Sequence, residues 1–333
     1  MASESDMQYR GLGKTGFKIS CLSFGTWAVG GSWGPHVDER IAIDALNFAV
    51  DQGVNFFDTA DVYGGGRAET LLGKTFATRP EIFIATKFCR AGSIHDAATY
   101  SYESVRQYAE QSLTRLKRDA IDLYQIHCPP TWVIEQGDVF SVLDRLQQEG
   151  LIRSYGVSVE TVEEGHLAMR YPGVSALQVI FNLFRQKPLD TLFPEAIEKS
   201  VGILARVPLA SGLLTGKFQL NDAFPSDDHR NFNRDGEAFN VGETFAGLPF
   251  STGVELANQL RWIQDGRGSM AAASLRWILD QPGVTTAIPG FKNSQQVASN
   301  LVALKAKGFS PEEEERLRRF YQSSVAEHIR GPY

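Results

Sequence analysis

The sequence predicts a (β/α)8 barrel of the TIM-barrel type, and three observations support this fold class. Short runs of β-branched and apolar residues alternate with longer amphipathic runs along the 333-residue chain. A strand followed by a helix, repeated, builds a parallel sheet. About eight such units in one chain favour a closed barrel over an open doubly wound sheet, which usually has fewer strands. We therefore expect residues 1–333 to form one domain.

The strand and helix patterns follow one another in a regular order. Strands are predicted at residues 19–24, 54–59, 82–87, 121–127, 152–158, 176–182, 202–207 and 285–289. Helices are predicted at 38–51, 68–78, 102–116, 139–149, 162–170, 193–200, as a split pair within 253–279, and at 294–307.

Two stretches fall outside this repeat. Residues 208–252 form a long polar segment after the seventh predicted strand, and segments of this kind often cover a bound ligand. Residues 311–327 begin with Ser310 and Pro311, a helix-start signal, and predict an extra C-terminal helix outside the barrel.

Residues 11–16 match the dinucleotide fingerprint Gly-x-Gly-x-x-Gly through Gly11, Gly13 and Gly16. That fingerprint requires a strand before it and a helix after it. Here only a few residues precede it, and a strand pattern at 17–24 follows it. The segment instead predicts the turn of an N-terminal β-hairpin at the bottom of the barrel.

Composition excludes several functional classes. The formal net charge is −6 and no basic run is present, so the sequence lacks the usual signature of a protein that binds nucleic acid or an anionic membrane. Cys21, Cys89 and Cys128 are odd in number and widely spaced, which fits neither a disulfide framework nor a zinc knuckle and favours a reducing compartment. The polar N-terminus and the absence of a long apolar run predict a cytoplasmic protein.

Four side chains suited to acid-base chemistry lie at, or just after, the C-terminal ends of three predicted strands: Asp58, Tyr63, Lys87 and His127. Barrel enzymes build their active sites at this end. A lysine beside a phenol lowers the pKa of the phenol toward neutral pH, and a carboxylate keeps that lysine charged. Each residue alone has an ordinary structural explanation, but together they indicate a proton donor for carbonyl reduction, with His127 orienting the carbonyl.

Longer motifs carry a resemblance that covers nearly the whole chain. They are Gly25-Thr26-Trp27, residues 57–64, Thr86-Lys87, residues 122–127, residues 156–158, residues 208–217 and residues 288–290. In this order they resemble the landmarks of the aldo-keto reductase superfamily, in its bacterial and plant-type form. The resemblance implies a (β/α)8 barrel that binds a nicotinamide dinucleotide, usually NADPH, in extended form and reduces an aldehyde or ketone. Tyr63 would be the general acid, supported by Lys87 and Asp58, and the partner would be a small carbonyl substrate.

The resemblance also implies a set of binding positions. The cofactor positions are Gly25, Thr26, Trp27, Asp58, Ser158, Gln178, Arg206, Pro208, Leu209, Ser211, Gly212, Leu213, Lys217, Gly290, Lys292, Gln296 and Asn300. The substrate pocket would be formed by Trp27, Tyr63, Phe88, His127 and Trp132. Two positions depart from the family pattern: Val159 stands where Asn is common, and Arg206 stands where many relatives have an aromatic residue. Preference for NADPH over NADH depends mainly on Lys292, which would meet the 2′-phosphate.

Two other functions stay open from the sequence. One is a cofactor-binding regulatory subunit like the potassium-channel β-subunits that share this fold. The other is an unrelated barrel enzyme, such as a phosphosugar isomerase with a phosphate site after strands seven and eight. The sequence decides neither the substrate nor the oligomeric state.

Overall fold

The computed structural model describes residues 7–31 and 36–333, so the polar N-terminal segment 1–6 lies outside the described residues. The strands are β1 (Tyr9–Gly11), β2 (Lys18–Ser20), β3 (Phe24–Gly25), β4 (Phe56–Asp58), β5 (Phe83–Phe88), β6 (Ile121–His127), β7 (Ile152–Ser158), β8 (Val174–Ile180), β9 (Gly202–Arg206) and β10 (Val284–Ala287). Strands β3 to β10 form one eight-stranded parallel sheet in sequence order. Bridges from Leu22 to Ala287 and from Gly25 to Gly290 join its two edges, which confirms the predicted barrel.

Helices alternate with these strands, as the sequence predicts. They are α1 (Trp27–Gly30), α2 (Glu39–Asp51), α3 (Arg67–Phe76), α4 (Tyr102–Leu116), α5 (Thr131–Gln136), α6 (Asp138–Gln148), α7 (Val162–Ala168), α8 (Leu192–Glu198), α9 (His229–Phe232), α10 (Phe250–Gln259), α11 (Met270–Asp280), α12 (Ser294–Leu301) and α13 (Pro311–Phe320). The predicted split pair corresponds to α10 and α11. The short helices α1, α5 and α9 were not predicted. None of the helices in the described part of the chain combines the length and apolarity that a membrane span requires.

The N-terminal hairpin closes one end of the barrel. Strands β1 and β2 pair antiparallel around the turn at 12–17, which confirms a hairpin in place of a dinucleotide loop. Gly13 has a φ of +50°, and a Cβ there would lie 2.2 Å from the carbonyl oxygen of Ser175, so only glycine fits against the start of β8.

The predicted strand at 19–24 is wrong in one respect, because it is two strands. Its first part belongs to the hairpin as β2, and its last part is the barrel strand β3. Between them, the backbone of Cys21 and Ser23 bonds to Ala287 in β10. The chain therefore changes partners within the predicted strand.

The barrel interior changes from apolar to polar along its axis. Near the hairpin it is filled by Leu12, Ile19, Phe56, Ala85, Leu123, Ala176, Leu204 and Ile288. Toward the C-terminal strand ends, the buried polar side chains of Asp58, Lys87 and Gln125 follow. Because side chains alternate along a strand, Lys87 faces the same side as Ala85, and Phe88 faces the helices.

The segment 208–252 folds over the C-terminal end of the barrel as a series of short helical turns, including Ala210–Thr215, Val241–Glu243 and Phe245–Gly247. The C-terminal residues hold it from outside, since Arg330 Nε donates to the carbonyl of Gly247 at 3.0 Å.

The extra C-terminal helix is confirmed as α13, with a capping box between Ser310 and Glu313. Glu314 on α13 accepts a hydrogen bond from Trp277 Nε1 on α11, so α13 packs outside the barrel.

Candidate active site

Asp58, Lys87 and Tyr63 form a connected group at the C-terminal ends of β4 and β5. The Lys87 ammonium lies 2.5 Å from Asp58 Oδ1 and 3.3 Å from the Tyr63 hydroxyl. It also donates to the carbonyl of Thr59 at 2.8 Å. Strands β4 and β5 pair in parallel, with Asp58 opposite Ala85, so their C-terminal ends lie side by side, as the sequence predicts. The phenol therefore lies beside a lysine whose charge is balanced by a buried carboxylate.

Two amide side chains hold the second oxygen of Asp58. Gln125 and Gln178 donate to Asp58 Oδ2 at 3.1 and 2.7 Å. The backbone carbonyl of Asp58 accepts from both the amide and the hydroxyl of Thr26. The Gln178 amide nitrogen is thus used by Asp58, and its role toward a cofactor stays a prediction.

The pKa of Tyr63 differs from the sequence expectation. Burial raises the pKa of the Tyr63 phenol above its ordinary value, and the neighbouring Lys87 lowers it only in part. The sequence predicted that the pKa of Tyr63 is shifted toward neutral pH. That prediction was wrong because it considered the charge of Lys87 but not the removal of the phenol from water on burial. Burial alone would lower the pKa of Lys87, but the charges of Asp58 and Tyr63 raise it above its ordinary value. At neutral pH, Tyr63 keeps its proton and Lys87 keeps its charge.

His127 lies across from Tyr63 at the end of β6. The two ring centroids are 5.9 Å apart in an edge-to-face arrangement. Burial, together with the positive charges of Arg90, Lys87 and Arg206, lowers the pKa of His127 well below its ordinary value. The imidazole is therefore neutral. One ring nitrogen can then donate a hydrogen bond to a substrate oxygen without carrying a charge.

Aromatic side chains surround Tyr63 on another side. The Trp27 ring stacks on Tyr63 with centroids 5.9 Å apart. The Trp27 ring centroid also lies 4.6 Å from that of His229 and 5.8 Å from that of Phe239. Both of these residues come from the segment 208–252. This segment therefore forms part of the pocket wall.

One predicted pocket residue, Phe88, lies elsewhere, and the role of Trp132 in the pocket stays a prediction. Phe88 is fully buried and stacks on Tyr124, with ring centroids 4.7 Å apart, in the layer between strands and helices. Trp132 packs edge-on against Tyr100, with centroids 6.0 Å apart. The strand alternation that points Lys87 inward points Phe88 outward, so the placement of Phe88 in the pocket is corrected.

A second group of charges, which we call the charged cluster, lies next to His127 and consists of Arg90, Glu160, Arg206 and Glu243. Arg90 Nη2 donates to Glu243 at 2.8 Å and to Glu160 at 3.4 Å. Arg206 Nη2 donates to Glu160 at 3.1 Å, and its Nη1 lies 3.8 Å from Glu243. Burial favours the neutral form of Glu243, but Arg90 and Arg206 outweigh it and lower its pKa to about 2. Burial, together with the charge of Glu243, raises the pKa of Glu160 above its ordinary value, so Glu243 holds the firmer negative charge of the two.

Cys128 lies beside this cluster. Its sulfur and the carboxylates of Glu160 and Glu243 lie within 4.8 Å of one another, a spacing that a metal ion could use. The carboxylates, however, are paired with the two guanidinium groups, and burial raises the pKa of the Cys128 thiol well above its ordinary value. Nothing in this arrangement favours a metal, and its absence stays a prediction.

The positions predicted for the 2′-phosphate and the adenine side of the cofactor lie together after β10. The Gln296 side chain accepts from the Lys292 amide at 2.7 Å, and Asn300 donates to the carbonyl of Gly290 at 3.4 Å. Burial and the positive charge of Arg230 both lower the pKa of Lys292. Arg230 is itself paired with Asp228, whose Oδ2 lies 2.6 Å from its Nη2, and the charges of Asp228 and Asp227 act on the pKa of Lys292 in the opposite direction.

The remaining predicted cofactor positions lie around the same end of the barrel. Ser158 Oγ is 3.3 Å from Cys128 Sγ, and Ser211 Oγ donates to the carbonyl of Glu243 at 3.2 Å. The turn that contains Leu209, Ser211, Gly212 and Leu213 follows Pro208, and its Ser211 has a positive φ of 53°. Lys217 after it is exposed.

The comparisons with known proteins agree with this geometry. Residues 21–322 match the sequence model of the aldo/keto reductase family. The chain belongs to the aldo/keto reductase family. It is therefore an oxidoreductase of the aldo-keto reductase type, and an unrelated barrel enzyme such as a phosphosugar isomerase is excluded.

Two curated relatives illustrate the range of the family. Aldo-keto reductase YhdN of Bacillus subtilis (strain 168) is 29% identical over 333 residues, covering 98% of this chain and 97% of its own length. A probable voltage-gated potassium channel subunit beta of Arabidopsis thaliana is 29% identical over 313 residues, covering 90% of this chain and 91% of its own length.

Solved structures show the same barrel. The glycerol dehydrogenase AKR11B4 from Gluconobacter oxydans superposes with a TM-score of 0.74 at 29% identity, covering 99% of this chain and 98% of its own. An aldo-keto reductase from Klebsiella pneumoniae, solved in complex with NADPH, gives a TM-score of 0.69 at 23% identity, covering 95% of this chain and 96% of its own.

Several residues of this aldo-keto reductase site were not predicted from the sequence. Arg90 lies three residues after the predicted site residue Lys87, and Glu160 lies two residues after the predicted site residue Ser158. Both follow the C-terminal end of a predicted strand, and this position is the signal that could have identified them. Glu243, Phe239 and His229 come from the long segment 208–252, where no spacing rule shows which side chains turn toward the barrel.

Proposed function

We propose that this aldo-keto reductase reduces an aldehyde or ketone to the alcohol, with NADPH as the hydride donor and Tyr63 as the general acid. The observation that carries the proposal is the chain of contacts from Asp58 through Lys87 to the Tyr63 hydroxyl, at 2.5 and 3.3 Å, opposite a neutral His127. We also propose that residues 1–333 act as one domain.

The donor chemistry of the described residues fits NADPH. Lys292 provides positive charge beside Gln296, which suits the 2′-phosphate, and the amides of Gln296 and Asn300 suit the adenine side of the cofactor. Arg206 Nε is buried without a hydrogen-bond partner among the described residues, so one donor near Ser158 is available. We propose that the cofactor positions given by the sequence hold NADPH, which supplies the hydride when bound.

Tyr63 and His127 would both hydrogen-bond to the carbonyl oxygen of the substrate. As negative charge develops on that oxygen, the Tyr63 hydroxyl gives up its proton to it, because an alkoxide is more basic than a phenolate. The Lys87 ammonium stabilises the phenolate that remains, and Asp58 fixes the lysine. Solvent then returns a proton to Tyr63.

Substitution of Tyr63 tests this function directly. In Tyr63→Phe we expect NADPH binding, measured by fluorescence titration, to stay close to that of the parent protein. Carbonyl reduction should fall by about 100- to 10,000-fold, the usual contribution of a general acid. Tyr9→Phe removes a hydroxyl from a ring that is 50% exposed and is the matched control. Normal turnover in Tyr63→Phe would contradict the proposal.

A second candidate is a cofactor-binding regulatory subunit with little turnover. The Arabidopsis thaliana relative, a probable potassium channel subunit beta, is as similar in identity as the Bacillus subtilis reductase, at 29%. Pre-steady-state kinetics separates the two functions. A single slow oxidation of bound NADPH without further cycles would favour the regulatory subunit, whereas repeated turnover supports the reductase.

A further inference from the structure

Gln125 lies in the polar layer of the barrel interior, between Asp58 and Gln178. Its Nε2 donates to Asp58 Oδ2 at 3.1 Å, and its Oε1 accepts a hydrogen bond from Gln178 Nε2 at 3.2 Å. The side chain of Gln125 is fully buried, so a ligand cannot touch it. Gln125 therefore connects the carboxylate that holds Lys87 to Gln178, which is one of the predicted cofactor positions.

Asp58 and Gln125 together use the whole donor capacity of Gln178. An ionised carboxylate only accepts hydrogen bonds, so both amides turn their nitrogen atoms toward Asp58 Oδ2. Gln178 Nε2 carries two N–H groups. One of them donates to Asp58 Oδ2 at 2.7 Å, and the other donates to Gln125 Oε1 at 3.2 Å. No N–H group of the Gln178 side chain is then left for a ligand.

The oxygen of the Gln178 amide stays available. Within residues 7–31 and 36–333, no group donates a hydrogen bond to Gln178 Oε1, and this atom is not closed off from solvent. The two hydrogen bonds made by the nitrogen hold the amide plane in place. Gln178 thus presents to a ligand one fixed acceptor and no donor.

The part of the cofactor that would meet this acceptor is the nicotinamide. The proposed function places the substrate carbonyl between Tyr63 and His127, and hydride transfer requires the nicotinamide ring beside that carbonyl. Three hydrogen bonds in sequence connect Gln178 to the Tyr63 hydroxyl, through Asp58 and Lys87. The carboxamide is the only hydrogen-bonding group on the nicotinamide ring, and its NH2 end is the donor that a lone acceptor binds.

We propose that Gln125 is a positioning residue that, with Asp58, leaves Gln178 able to accept from the carboxamide NH2 group of the cofactor but unable to donate to its carbonyl group. This inference rests on the proposed function, because it requires NADPH bound beside Tyr63. One carboxylate then serves two parts of the site, since Asp58 Oδ1 holds Lys87 and Asp58 Oδ2 holds the two amides.

Two forms of the oxidised cofactor that differ only in the carboxamide test the inference. NADP+ carries the complete amide, and its 3-acetylpyridine analogue carries a methyl group in place of NH2. We expect the parent protein to bind the analogue at least about fivefold more weakly than NADP+, the lower limit for an acceptor left without a donor. Isothermal titration calorimetry measures both dissociation constants. Equal affinity for the two nucleotides would overturn the inference, and this comparison needs no variant.

Substitution of Gln125 tests its own role. Gln125→Met removes the acceptor of the second N–H group of Gln178, which can then turn toward the carbonyl group of either ligand. The ratio of the dissociation constant of the analogue to that of NADP+ should therefore fall by at least about twofold, the lower range of one neutral hydrogen bond. Weaker binding of both nucleotides with an unchanged ratio would show a purely structural role and overturn the inference. Gln107→Met, at an exposed position on α4, is the matched control and should keep the parent ratio.

A double variant shows whether Gln125 acts through Gln178. In Gln178→Met the ratio should also fall below that of the parent protein, because the acceptor for the NH2 group is removed. Adding Gln125→Met to Gln178→Met should not lower the ratio again, since two residues that act through one contact are not additive. A second decrease of the same size in the double variant would overturn the inference.

The outcomes also separate this inference from the proposed function. A protein that binds NADP+ and reduces a carbonyl through Tyr63, but has the same ratio in Gln125→Met as in the parent, contradicts only the role of Gln125. Undiminished reduction in Tyr63→Phe contradicts the proposed function instead. Absence of NADP+ binding to the parent protein contradicts both.

Discussion

Two buried groups of charged side chains lie at the same end of the barrel, but they are assembled in different ways. The pair of Asp58 and Lys87 comes from neighbouring strands, β4 and β5, that are in register. The charged cluster of Arg90, Glu160, Arg206 and Glu243 combines the ends of β5, β7 and β9 with the segment 208–252. The pair belongs to the barrel itself, whereas the cluster joins the barrel to the segment that covers it.

The two groups also differ in how charge is shared. In the pair, Lys87 has a single carboxylate partner, and both side chains are at most 3% exposed. In the cluster, each guanidinium faces two carboxylates, and each carboxylate faces two guanidinium groups. Loss of one member therefore leaves an unpaired buried charge in the pair, but only a redistributed charge in the cluster.

Removal of Lys87 should have the largest effect. In Lys87→Met, Asp58 keeps only the amides of Gln125 and Gln178, so the free energy of unfolding should fall by about 3–5 kcal/mol, the cost of an unpaired buried charge. Carbonyl reduction should fall by about 100-fold or more, because the Tyr63 phenolate loses its cation. Urea denaturation and steady-state kinetics measure the two effects.

A double variant separates the loss of stability from the loss of activity. Lys87→Met/Asp58→Asn removes both charges, so it should regain much of the stability without regaining activity. Recovery of activity in the double variant would show that Lys87 acts on folding and not on Tyr63.

A carboxyl next to the pair should make stability depend on pH. Burial and the negative charge of Glu69 raise the pKa of Asp61 to about 7. The folded protein therefore holds this proton more tightly than the unfolded chain does. The stabilisation is complete below pH ~4, near the pKa of an unfolded Asp, and is lost as the pH rises through about 7.

Asp61→Asn should remove this dependence. We expect the variant to gain about 2–4 kcal/mol over the parent protein as the pH increases from 4 to 8, measured by urea denaturation at a series of pH values. Asp119→Asn, at an exposed position, is the control and should not change the slope. A difference between Asp61→Asn and the parent that stays constant with pH would contradict the raised pKa.

Local sequence patterns explain which parts of the site could be predicted. Asp58, Lys87 and His127 end apolar strands, and parallel strands of a barrel place such ends together. The same alternation that turns Lys87 inward turns Phe88 outward, so the position of Phe88 could have been predicted and was not. The break between β2 and β3 could not, because residues 19–24 give one uninterrupted strand pattern and the change of pairing depends on β10.

Long-range charges and burial explain the rest. Arg90 and Glu243 are 153 residues apart, and no spacing rule links them. The pKa of Tyr63 is set by two opposing effects, and the sequence shows the Lys87 charge but not the extent of burial. The charged cluster and the pKa of Tyr63 were therefore missed because they depend on the segment 208–252 or on solvent exclusion.

Removal of one charge from the cluster should have the smallest effect. In Glu243→Gln, Arg90 and Arg206 still share Glu160, so the free energy of unfolding should fall by about 1–3 kcal/mol. Because the Glu243 charge raises the pKa of Tyr63, that pKa should also decrease.

Hydrogen–deuterium exchange should accelerate in residues 238–246 and stay unchanged in residues 56–63. Glu110→Gln, at a side chain that is 51% exposed, is the control. Faster exchange in both segments would show that the cluster and the pair of Asp58 and Lys87 form one cooperative unit. Loss of the Glu243 charge would then reduce the protection of amides in the barrel strands as well.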